Sequence, residues 1–124
     1  MASENLLDLT TLQNLVDLDD GSHGLVVEMI GIFREDTPRR IQDILQAVAA
    51  RDAEALSRAG HALKGGAGAL GVRPLRTLGA DLEHLGRSGS VEAGADLPGR
   101  LEQAFQASLA ALEAFVREGG APRA

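Results

Sequence analysis

The stretch His61-Ala62-Leu63-Lys64-Gly65-Gly66-Ala67-Gly68-Ala69-Leu70-Gly71 decides how this chain is read. On a helix each residue advances about 100° around the axis. Leu56, Leu63 and Leu70 then form one apolar line, and His61 points roughly 140–160° away from it. On that opposite face Ser57, His61, Gly65 and Gly68 stack one turn above another, with Lys64 about 60° to the side. A helix that only packs a core has no use for glycines there, because each costs about 1 kcal/mol against alanine. A helix that presents an imidazole to an approaching partner does.

Outward from this helix the pattern is helical throughout. Asp52 is the expected N-cap of the His61 helix and Gly71 its C-cap. Before it, one helix kinked at Pro38 is expected from about His23 to Ala50, with Leu25, Met29, Ile32, Phe33, Ile41, Ile44, Leu45 and Val48 on its apolar side. A short helix from Thr10 or Thr11 to Leu18 precedes it, across a turn at Asp19-Asp20-Gly21-Ser22. After the motif, Pro74 opens a helix that runs to Leu85 or Gly86. A Gly-rich stretch over 86–99 follows, and Pro98 suits the start of a last helix with Leu101, Phe105, Leu109, Leu112 and Val116 inward. Four long amphipathic helices on short loops specify an all-α, antiparallel four-helix bundle with a short additional N-terminal helix. Residues 1–124 read as a single domain, with 1–8 and 119–124 expected to be flexible ends.

Composition narrows the function classes. Cysteine is absent, so there is no disulfide framework and no thiolate metal site. Eighteen acids stand against twelve Lys plus Arg, a formal charge of −6, and aromatics make up 2%. That balance argues against a nucleic-acid partner, which needs a basic surface or stacking platforms. No apolar run approaches the ~20 residues of a membrane span, and the opening MASENLLDL lacks the marks of a signal peptide. A cytoplasmic location and a monomer are expected. His23 and His84 lack a third ligand in register with His61, so no metal site is expected, and no phosphate-cradling loop suggests ATP binding.

The motif resembles the histidine-containing phosphotransfer (HPt) domain of bacterial multistep phosphorelays. His61, Leu63, Lys64, Gly65, Gly68, Leu70, Gly71, Leu75, Leu78, Leu82 and Glu83 follow that pattern in order and spacing, with the resemblance sharpest from about Ala59 to Gly89. It implies a four-helix bundle in which His61 is phosphorylated. Glu83, 22 residues on and across a tight turn, would accept a hydrogen bond from His61 Nδ1 and leave Nε2 to take the phosphoryl group. Lys64, one turn from His61, would offset phosphoryl charge during transfer. Gly65 and Gly68 would leave room for a partner, with Ser57 and Arg58 on the same docking side, while Gly66 and Ala67 pack.

The implied function is that of a phosphorelay intermediate. His61 takes a phosphoryl group from a receiver-domain aspartyl phosphate and passes it to another receiver, without autokinase activity. The implied partners are response-regulator receiver domains and a hybrid histidine kinase. No cofactor is expected, with Mg²⁺ on the receiver alone. The alternative is a helical-bundle interaction module that regulates a partner through the same face without transfer, although such a binder would not need the imidazole. A dimeric histidine kinase transfer domain fits less well, because no nucleotide-binding portion accompanies the bundle.

Overall fold

In the computed structural model, which describes residues 6–118, five helices follow one another: α1 (Leu9–Leu18), α2 (Gly24–Ala49), α3 (Ala53–Ala69), α4 (Arg73–Arg87) and α5 (Leu97–Arg117). α3 packs on α2 and α4, and α5 closes the bundle by packing on both α2 and α4, while α1 lies against α2. The long helices alternate in direction because the first two connections between them leave only three residues to reverse the chain. Of the flexible ends expected at 1–8 and 119–124, residues 1–5 and 119–124 lie outside the described residues.

Residues 6–8 do not behave as a loose end. Leu7 is buried and bridges Val72, and the Asp8 N–H donates to the Gly71 carbonyl at 2.7 Å. Asp8 also caps α1 by accepting from the Thr10 and Thr11 amides. An apolar side chain two residues before the helix is enough to pin this segment, since burying one leucine is worth about 1.5–3 kcal/mol.

The other helix ends follow local chemistry. Asp19 and Ser22 accept from the Leu25 and Gly24 amides at the start of α2, and Asp52 accepts from Ala55 N–H at the start of α3. α3 stops in a Schellman turn. The Gly71 N–H donates to Gly68 O and the Val72 N–H to Ala67 O, with Gly71 at φ +69° as the residue after the cap, Leu70. Pro74 and Pro98 lie in the first turns of α4 and α5, where a missing N–H costs nothing. α2 runs unbroken through Pro38.

Two apolar faces differ from the sequence reading. In α2 the buried line is Val26, Ile30, Phe33, Thr37, Ile41, Ile44 and Ala47, whereas Leu25 and Met29 are half-buried and Ile32 is 54% exposed. The first half of α2 offers two apolar stripes side by side. The one in phase with Ile41 and Ile44 is buried, and Thr37 carries that phase past Pro38. In α5 the buried line is Leu97, Leu101, Phe105, Ser108, Leu112 and Phe115, which leaves Leu109 and Val116 half-buried at its edge. Small or polar residues at single positions, Thr37 and Ser108, hid both registers.

Candidate functional site

The site grows from an unusually close contact between α3 and α4. Along α3, Ala53, Ser57, Gly60, Lys64 and Ala67 recur at four- and three-residue steps, as Leu75, Gly79, Leu82 and Gly86 do along α4. A Cβ on Gly60 would lie 2.6 Å from Glu83 N and 2.8 Å from Gly79 O. One on Gly79 would lie 2.6 Å from Lys64 N and 2.8 Å from Gly60 O. One on Gly86 would strike the backbone of Ala53 and Ser57. Only glycine permits backbone to meet backbone at this range. The helices close on each other, and Glu83, between Gly79 and Gly86, is carried against the base of His61.

The Glu83 side chain is 9% exposed and its two oxygens meet three donors. Oε2 lies 3.0 Å from His61 Nδ1 and accepts from Arg87 Nη2 at 2.7 Å, while Oε1 accepts from Lys64 Nζ at 2.6 Å. The Lys64 hydrogen bond, followed by that from His61, holds the carboxyl down at about 2 against the opposing effect of burial. Glu83 is therefore ionised and can only accept, so the proton of the His61 ring sits on Nδ1. The imidazole is 68% exposed, and with Nδ1 engaged the free lone pair is on Nε2. This arrangement presents an oriented nitrogen nucleophile at the surface, backed by an anion that stabilises positive charge on the ring and flanked by a primary ammonium.

The other expected site residues divide. Gly65 is exposed with open space where a Cβ would stand, and Arg58 is exposed, 3.8 Å from Glu54. Gly68 is the penultimate residue of α3, half-buried under the Arg76 side chain. Ser57 does not share the open face of His61; it is half-buried in the α3–α4 seam opposite Gly86. Gly66 is half-buried beneath Arg40, and Ala67 is buried. His84 is exposed, and His23 packs its ring 6.0 Å from that of Phe115. Among the described residues no group of three or more His, Asp or Glu is placed to hold a metal, and no helix is long and apolar enough to cross a membrane.

The sequence reading missed the seam glycines Gly60, Gly79 and Gly86, and it missed two arginines. Arg87 stands four residues after Glu83, the spacing of a helical ion pair, so a signal was there to read. Arg40 leaves α2 to donate to the Ala62 carbonyl at 2.8 Å, a contact across 22 residues that local spacing does not announce.

Comparison with known proteins gives a consistent result. No curated protein matches the sequence. The fold is similar to the histidine-containing phosphotransfer domain of ArcB from Escherichia coli, with a TM-score of 0.64 and 22% identity, covering 95% of this chain and 98% of that one. The family model of the Hpt domain matches residues 28–115, a span that holds α3, α4 and the whole His61–Glu83 cluster. The chain belongs to the Hpt domain family, the phosphotransfer modules of phosphorelays.

Proposed function

We propose that His61 is the phosphoryl carrier, and that it takes the group from the aspartyl phosphate of one receiver domain and passes it to another. The observation that carries this reading is the exposed His61 ring, held at Nδ1 by a carboxylate that is itself buried. In the forward step Nε2 attacks phosphorus, an N–P bond forms, and the P–O bond to the partner's aspartate breaks. The aspartate leaves as a carboxylate with the bonding pair. The Nδ1 proton stays in place, so the ring becomes cationic, and Glu83 offsets that charge without moving. Lys64 has three N–H donors and uses one on Glu83, which leaves others for phosphoryl oxygens. The reverse step returns the same bonds.

The partner approaches over α3. Gly65 presents no side chain, and beside it Met29, Ile32, Gly66, Ala69 and Leu70 line a shallow, largely apolar cleft of about 140 Å³ between α2 and α3. Ile32, which the bundle leaves 54% exposed, gives a docking receiver apolar area to cover beside Gly66 and Ala69 of the helix that carries His61. In this reading the domain works as a cytoplasmic monomer, between a hybrid histidine kinase and a response regulator. It requires no cofactor of its own, the Mg²⁺ belonging to the receiver. Incubation with a phosphorylated receiver tests the proposal: the wild-type chain gains acid-labile label and His61→Gln gains none. Wild-type labelling of the variant refutes it.

A further inference from the structure

Arg87 has no role in the transfer described above, yet it shares an oxygen with the nucleophile's support. Glu83 Oε2 receives both the Arg87 guanidinium at 2.7 Å and His61 Nδ1 at 3.0 Å, and the remaining oxygen receives Lys64. Two cations and one imidazole thus serve a single carboxylate that is 9% exposed. Such a carboxylate needs a counter-charge at all times, because water does not supply one. If Lys64 were its only cation, every shift of the ammonium toward an incoming phosphoryl group would strip Glu83 of its partner.

We propose that Arg87 is a positioning residue of the phosphoryl-transfer site, holding Glu83 by Oε2 so that Lys64 can turn its ammonium to the phosphoryl oxygens without stranding the buried carboxylate. The inference rests on the phosphotransfer reading of His61. Position favours this division of labour. The Arg87 side chain is 68% exposed and lies at the last residue of α4, so it reaches Glu83 from the rim and is free to stay there. Lys64 comes from the facing helix, three residues after His61, with its side chain 36% exposed. The shared Oε2 has a second consequence. Arg87 draws electron density from the oxygen that accepts the Nδ1 proton, so it moderates how strongly Glu83 polarises the ring.

A helix-end arginine that merely favours the α4 macrodipole would affect stability alone, and the test separates the two roles. Arg87→Gln, Arg87→Lys, Lys64→Met and the Arg87→Gln/Lys64→Met double variant are compared with wild type in two assays. The first is nitrogen NMR of the unphosphorylated His61 ring, and the second is the rate of transfer from a phosphorylated receiver. Arg87→Gln is expected to move the His61 Nδ1 resonance and to slow transfer by roughly three- to tenfold, the weight of one charge-assisted hydrogen bond. Arg87→Lys recovers part of that loss, and Lys64→Met costs less in the Arg87→Gln background than in wild type, because Lys64 is by then confined to Glu83. Unchanged transfer in Arg87→Gln overturns the proposal. So does slowed transfer with an unmoved Nδ1 resonance and additive effects of the two substitutions, which would place Arg87 on the partner instead. A wild-type chain that takes up no phosphate defeats the phosphotransfer reading, and the nitrogen spectra then still decide whether Arg87 acts on the ring.

Discussion

Gly79→Ala isolates the contact on which the site depends. The added methyl carbon would stand 2.6 Å from Lys64 N, 2.8 Å from Gly60 O and 3.0 Å from Lys64 Cα. Ordinary contact is about 3.5 Å, so the helices must separate by about 0.9 Å to relieve the tighter contact, which clears the other as well. No rotamer change helps, because every clashing atom is backbone. Overpacking of this kind costs about 1–3 kcal/mol, and the better helix propensity of alanine returns about 1 kcal/mol. The rigid partners put the clash at the upper end, for a net loss of about 1–2 kcal/mol, or a fall in Tm on the order of 3–10 °C for a domain of this size.

The same movement reaches the chemistry. Glu83 is one turn beyond Gly79, so the 3.0 Å contact to His61 Nδ1 would stretch to about 3.9 Å, past hydrogen-bond range. Thermal melts followed by circular dichroism, together with the His61 nitrogen resonances, read both effects. Gly65→Ala is the internal control: nothing lies within 4 Å of its Cβ position, so it should gain about 1 kcal/mol from propensity alone and leave the Nδ1 resonance in place. A Gly79→Ala variant that melts at or above wild type, with His61 unmoved, would show that the glycine seam does not set the spacing of the site.

Other changes test separate parts of the argument. His61→Gln should keep the wild-type melting temperature, since its side chain is 68% exposed, while losing phosphate uptake; a large drop in Tm would mean the ring is structural. Glu83 is held at about 2 against an ordinary 4.5, so its ion pairs stabilise the fold fully above the ordinary value and are lost as pH falls through 2. The stability difference between wild type and Glu83→Gln should therefore be flat above about pH 5 and shrink below it, and a difference that stays constant down to pH 2 contradicts the assignment. Ser108 is fully buried with an unpartnered hydroxyl, so Ser108→Ala should leave Tm unchanged or raise it. Gly68→Gln should slow transfer by crowding the face beside Gly65, with little change in Tm because Gly68 sits in the last turn of α3 under the movable Arg76 side chain; normal transfer would remove Gly68 from the docking surface.

Much of this was legible because it depends on local rules. Asp52, Gly71, Pro74 and Pro98 announce helix ends through chemistry that needs no tertiary context, and Leu56, Leu63 and Leu70 fix which side of α3 is buried. With that side fixed, the exposure of His61 follows. Registers failed where a polar residue occupies a core slot: Thr37 and Ser108 are both buried, and an apolar count passes over each of them. The failure is instructive for α2, because the residue it misplaced, Ile32, is the one whose exposure suggests a docking surface.

The parts of the site that stayed hidden share a different cause. His61, Lys64 and Glu83 carry functional groups, so their chemistry can be asked about one residue at a time. The distances among them are set by atoms that are missing. Gly60, Gly79 and Gly86 act by having no Cβ, and their effect exists only where each meets the other helix. In one chain without a partner helix in view, Gly79 looks like a weak point in α4, costing about 1 kcal/mol of propensity. Against α3 it is the reason a carboxylate on one helix reaches an imidazole on another at 3.0 Å. The seam thus spends local helix stability to fix the imidazole's orientation, and no substitution that restores the helix propensity at Gly79 can do so without opening that distance.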